Sequence, residues 1–249
     1  VKRVVIAQTG SVGPDVSDLF GDFPDWFARL LRGRAEPLVA RAPGDLASLE
    51  PFDGVVVTGS FASVTAPEPW MDALSAELLR IARERPVLGV CFGHQLLARA
   101  LGGRVERNPR GLEAGACEVA LTPAGRDDPL FDGVPDRFLA HELHEDHVAE
   151  LPPGAVRLAG NAMSPVQAFR AGNLRAVQFH PEIDLARARF FATRDRQDHD
   201  RRVPGGSEAV RASLAETPAA VRCFHNWLAR YVGAAEPQAG DVRCASSTR

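Results

Sequence analysis

Lysine is nearly missing from this chain: Lys2 stands alone, and every other strongly basic side chain of the 249 residues is arginine. That excludes Schiff-base chemistry on an internal lysine and any phosphate-binding loop of the GxxxxGK type. Cysteine is sparse. Cys91, Cys117, Cys223 and Cys244 lie at wide, irregular spacings, with no CxxC pair and no Cys/His spacing typical of zinc. The net charge of −3 argues against a nucleic-acid partner, and no basic run suggests binding to an anionic membrane surface. Apolar runs stay short of the roughly 18 residues a membrane span needs, and VKRVVIAQTG at the N-terminus has no signal-peptide pattern. The expectation is a reducing, cytoplasmic setting with free thiols. HELHEDH (141–147) is the one cluster that invites a metal. Its histidines do not match HExxH, so neither a metal nor a cofactor is assigned.

What is present suits a globular chain, with 45% apolar and 24% charged residues and enough length for a sizeable core. KRVVIA (2–7), PLVARA (37–42), GVVVTG (54–59) and PVLGV (86–90) read as short buried strands. Helical spacing appears at 17–31, at 69–85 with proline at its start, and at 92–103 with glycines closing it. This alternation favours a parallel sheet covered on both faces. Beyond it, CEVALTPAG, DRFLAHEL, AVRLAGN, SPVQAFRAG and LRAVQFH read as hairpin-linked strands, partly antiparallel. Helices return at 183–194 and 217–232, separated by a polar loop at 195–206, and the tail 234–249 is expected to be flexible. The predicted architecture is a single α/β domain over 1–233, with a mostly parallel sheet and a small partly antiparallel strand region. Cys223 and Trp26, Trp70 and Trp227 fall on amphipathic segments and read as packing; His199 and His225 are left unassigned.

One pentapeptide breaks this pattern of bland packing. GVCFG (89–93) places Cys91 between two glycines where a strand must turn into a helix. It fits G-x-Nuc-x-G, the sharp turn that exposes a nucleophile. A helix N-terminus also favours a thiolate, and the Phe92 N–H would face a developing oxyanion. A buried core cysteine is the competing reading. Far downstream, AVQFHPEID (176–184) offers a base. Pro181 favours extended geometry at His180, and in an extended segment His180 and Glu182 project to one side. A carboxylate there would hold the imidazole in one tautomer, as in a Cys-His-Glu triad. A strand-end histidine beside an exposed glutamate is the alternative.

GVCFGHQ followed by QFHPE resembles the class I, or triad, glutamine amidotransferases, over residues 50 to 185. The resemblance implies a flavodoxin-like fold and a thiol enzyme cleaving the γ-glutamyl amide of a small molecule, with Cys91, His180 and Glu182 as catalytic residues. TGSFAS (58–63) is similar to the family's glycine turn, commonly GGPxS, with Ser60 and Phe61 replacing its second glycine and its proline. Gly59 and Ser60 are therefore candidates, with Phe92, for the oxyanion hole. Gln95, one helical turn after Cys91, is expected to hydrogen-bond substrate. LHEDHV resembles the segment SHxDxV, which implicates His144, Glu145 and Asp146 as pocket residues; a solvated acidic loop reads those three equally well. The isolated arrangement looks most like stand-alone relatives of the glutamine domain of GMP synthase, which include γ-glutamyl peptidases. Three functions follow from this: a γ-glutamyl hydrolase, a glutaminase subunit serving a separate synthetase partner, or an inactive binding module on the same fold.

Overall fold

The computed structural model describes residues 1–42 and 46–234, so Cys244 and all but the first residue of the expected tail lie outside the described residues. The first half runs β1 (Lys2–Gln8), α1 (Pro14–Phe20), α2 (Phe23–Leu31), β2 (Ala35–Arg41), β3 (Gly54–Val57), α3 (Pro69–Ile81), β4 (Val87–Val90) and α4 (Phe92–Ala100). The strand-rich middle follows as β5 (Arg104–Arg107), β6 (Glu113–Leu121), α5 (Pro123–Arg126), β7 (Arg137–His144), β8 (Asp146–Glu150), β9 (Val156–Gly160), β10 (Ala168–Ala171) and β11 (Leu174–Val177). Then come α6 (Leu185–Arg194), α7 (Arg196–Arg202), α8 (Gly206–Ser213) and α9 (Pro218–Trp227), which continues as a π-helical turn to Val232.

Nine strands form one sheet in the order β2-β1-β3-β4-β11-β10-β9-β6-β7. The first five are parallel and the rest antiparallel, so the antiparallel strands extend the main sheet. A separate β5–β8 ribbon lies apart from it. The continuous apolar strands make sense once both faces are covered. On β1, Val4 and Ile6 enter one core with Phe27 and Leu31 of α2 and Phe224 and Trp227 of α9. Val5 and Ala7 enter the other with Leu74 and Leu78 of α3 and Leu96 and Leu97 of α4. Cys223 and Trp227 are core as expected, and Trp70 stacks on Phe92. No helix among the described residues is long and apolar enough to cross a membrane.

Two local readings need correction. The periodic stretch 17–31 is two helices, because Gly21 at φ 77° ends the first. Asp22 then opens α2 with a capping box: its carboxylate accepts the Phe23 N–H, and Asp25 accepts the Asp22 N–H. The polar stretch 195–206 is largely helical. It lacks an apolar stripe, and charge pairs one turn apart, such as Asp198 with Arg202 (2.6 Å), support α7 instead. At the C-terminal end, Ala234 is buried in the core.

Candidate active site

The parallel strands β1, β3, β4 and β11 all end at one edge of the sheet, and the chain order reverses beside β1, where an open α/β sheet leaves a crevice. The residue after β4 is Cys91. It is the only non-glycine residue at positive φ among those described (φ 51°, ψ −103°), and it is the N-cap of α4. Its glycine neighbours are required by contact. A Cβ on Gly89 would lie 2.6 Å from the Gly93 carbonyl, and one on Gly93 would lie 2.7 Å from the Val57 carbonyl. Strand and helix therefore close onto each other only because both positions lack side chains. The Cys91 N–H is anchored to the Val177 carbonyl (2.9 Å), and its Sγ lies 4.0 Å from the Leu143 carbonyl.

β11 delivers His180 and Glu182 to the same place. His180 Nδ1 and a Glu182 carboxylate oxygen are 2.7 Å apart, and both side chains are buried. The His180 backbone is held through its N–H to the His141 carbonyl (2.9 Å). Burial alone would disfavour an imidazolium. Glu182, and then Cys91 through charge and hydrogen bonding, outweigh burial and hold the His180 pKa well above the ordinary histidine value of 6.5.

The turn after β3 lies against both groups. A Cβ on Gly59 would lie 3.3 Å from His180 Cε1 and 3.8 Å from Cys91 Cβ. Thr9, at the end of β1, fixes this turn, a role sequence reading missed. Its hydroxyl donates to the Gly59 carbonyl (3.0 Å), and the Ser60 hydroxyl donates to the Thr9 carbonyl (2.9 Å). Because the peptide is planar and trans, a Gly59 carbonyl aimed at Thr9 sends the Ser60 N–H the opposite way. Phe92 opens α4, so its N–H has no acceptor within the helix.

Gly59, Ser60, Cys91 and His180 border a cavity of about 610 Å³ that also reaches Gln95, His144, Glu145 and Asp146. Gln95 is fixed through its amide nitrogen, which donates to the Asp146 carbonyl (2.8 Å) and to Gln178 (3.2 Å). Its amide oxygen is thus the atom it has to offer a ligand. His144 is committed to the protein interior: Nδ1 contacts the Asp146 carbonyl (2.9 Å) and Nε2 faces Glu113 and Glu142. Glu145 pairs with Arg107 and Arg202, and Asp146 accepts from Ser63. His144 ends β7 and Asp146 begins β8, so the three-residue segment is the turn between strands of two different sheets. Arg202, on the helix read as a loop, was not a candidate; no sequence signal linked it to Glu145.

The fold recurs in solved structures. A crystal structure of a glutamine amidotransferase from Thermotoga maritima superposes with a TM-score of 0.73 at 23% identity, covering 93% of this chain and 98% of that one. The family model described as glutamine amidotransferase class-I matches residues 28–194, and the chain belongs to that family. GMP synthase (glutamine-hydrolyzing) of Pyrobaculum aerophilum is 39% identical over 137 residues, which make up 55% of this chain and 25% of that protein. Gamma-glutamyl peptidase 5 of Arabidopsis thaliana is 34% identical over 140 residues, 55% of this chain and 56% of that protein. The matched region is thus a quarter of the synthase and little more than half of the peptidase.

Proposed function

We propose that this chain hydrolyses the γ-glutamyl amide of glutamine or of a γ-glutamyl conjugate, through a thioester on Cys91. The observation that carries the reading is that a cysteine held at positive φ and His180 line one cavity, with His180 backed by the buried Glu182 carboxylate. The Cys91 thiolate attacks the δ-carbonyl, and the C–S bond forms as the carbonyl electrons move onto oxygen. The N–H groups of Phe92 and Ser60, with Gly59 leaving room, receive that oxyanion; one well-placed donor of this kind is worth about 3–4 kcal/mol. His180, charged against Glu182, gives its proton to the leaving nitrogen as the C–N bond breaks. Water then loses a proton to His180 and attacks the thioester, releasing the γ-carboxylate and restoring the thiolate. Gln95 and the 144–146 turn line the substrate side.

A small-molecule substrate, a cytoplasmic location and the use of free thiols belong to the same proposal. The alternative, a glutaminase subunit feeding a separate synthetase, draws support from the GMP synthase relative, most of whose length lies outside the matched region. An inactive binding module is disfavoured because Cys91, His180 and Glu182 are all in place. Product assays on the purified chain separate these readings. Cleavage of γ-glutamyl peptides with no partner present supports the hydrolase. Glutaminase activity that appears only with an added synthetase supports the subunit. No turnover under either condition would leave only the binding module.

A further inference from the structure

HELHEDH gives no metal-binding spacing along the chain, yet the fold supplies a third donor from the neighbouring strand. β6 and β7 pair antiparallel with Glu113 opposite His144 and Gly115 opposite Glu142. This register brings a ligand atom each from Glu113, Glu142 and His144 within 4.8 Å of one another, all three side chains buried. We propose that these three residues form a binding site for a divalent transition-metal cation of the zinc class, beneath the turn that lines the active-site cavity.

The three side chains aim one ligand atom each at a common point. His144 Nδ1 sits 2.9 Å from the Asp146 carbonyl, the contact of a ring N–H with a carbonyl oxygen. That assigns the proton to Nδ1 and leaves Nε2 as a lone pair, the arrangement found when the other ring nitrogen of a metal-bound histidine is held by a carbonyl. Nε2 then lies 3.1 Å from Glu113 and 3.2 Å from Glu142, and makes a well-aligned hydrogen bond to neither. These separations are long for a charge-assisted hydrogen bond. They approach the edge of a tetrahedron with bonds of about 2.0 Å, which is about 3.3 Å.

Glu142 is fully buried, and neither carboxylate oxygen has a hydrogen-bond partner. A proton on Nε2 could serve one carboxylate, and Glu142 would still have an unsatisfied oxygen. A dication would neutralise both glutamates and engage all three donors. Glu113 also has an outer shell: Ser164 (2.9 Å) and Gln167 (3.2 Å) donate to one oxygen and Asn161 to the other. The site matters to the cavity because the Asp146 carbonyl that contacts His144 also accepts from Gln95.

The test uses Cys91→Ser full-length protein, so that the active-site thiol does not take up metal. The protein is stripped with chelator and titrated separately with zinc, manganese and magnesium, reading metal content by mass spectrometry and unfolding by calorimetry. The expected result is stoichiometric zinc, a melting temperature that rises by several degrees with zinc, and loss of both effects in Glu142→Gln. X-ray absorption of the zinc-loaded protein should show oxygen and imidazole nitrogen, with no sulfur; this readout stands even if Glu142→Gln does not fold. No metal uptake and no change in melting for any of the three cations would overturn the proposal. Sulfur coordination, or zinc binding undiminished in a folded Glu142→Gln protein, would do the same.

Discussion

Holding an L-residue at φ 51° costs about 1–3 kcal/mol, and at Cys91 the surrounding contacts sustain it. Glycine avoids that cost and alanine does not. Cys91→Gly should therefore unfold at a higher denaturant concentration than Cys91→Ala, by about 1 kcal/mol, with both inactive. Equal stabilities in urea melts would show that the backbone at this position is relaxed. His180 gives a pH prediction with a definite sign. Its folded pKa lies well above 6.5, so the stability it gains from Glu182 and Cys91 is fully present below about 6.5 and is lost as pH rises through the folded value. Urea melts of wild type and Glu182→Gln should differ most in acid to neutral buffer and converge at alkaline pH. A gap that widened with pH would contradict this sign. In kinetics, Glu182→Gln should lower kcat by about 10²–10⁴-fold by analogy with the triad carboxylate of serine hydrolases, with a much smaller change in KM.

At the scale of elements, the turn between β4 and α4 is set by close packing. Gly93→Ala would push a methyl group against the Val57 carbonyl at 2.7 Å. Overpacking of this kind costs about 1–3 kcal/mol, so denaturant melts should report a loss of that size together with lower turnover. Unchanged stability would mean that α4 can slide away from β3. GVCFG and QFHPE were legible in the sequence because each encodes local geometry, a tight turn and an extended pair. The residues that complete the site are brought there by pairing over long distances. Thr9 reaches Gly59 because β1 pairs with β3, and Glu113 reaches His144 through the β6–β7 register. Neither pairing leaves a mark on the residues themselves. α7 was missed for another reason: its support comes from charges one turn apart, without the apolar stripe that periodicity detects. The break at Gly21 was hidden because apolar residues continue in step on both sides of it.

For the molecule as a whole, the antiparallel extension and the C-terminal helix meet at Asp128. Its buried carboxylate pairs with Arg170 (3.0 Å) and Arg175, and accepts the Tyr231 hydroxyl (2.6 Å) and the Leu130 N–H (3.0 Å). Burial would raise this carboxyl, but Tyr231, Leu130 and Arg175 together hold it below its ordinary value of 3.8. The stability it contributes is therefore present above about 3.8 and is lost as pH falls through the lowered value. Asp128→Ala leaves Arg175 buried without its carboxylate partner and should cost about 3–5 kcal/mol; a chemical melt showing under 1 kcal/mol would count against the network. The scaffold places the Cys91 thiol and the His180 imidazole on one cavity at the edge of the sheet. The most direct measurement is peptide mapping by mass spectrometry after treating the native protein with 6-diazo-5-oxo-norleucine, a glutamine analogue that alkylates a nucleophilic thiol. The expected result is a single adduct on Cys91, suppressed by excess glutamine and absent from Cys91→Ser, with Cys117, Cys223 and Cys244 unmodified. An unmodified Cys91, or labelling shared among the four cysteines and indifferent to glutamine, would contradict the assignment of Cys91 as nucleophile.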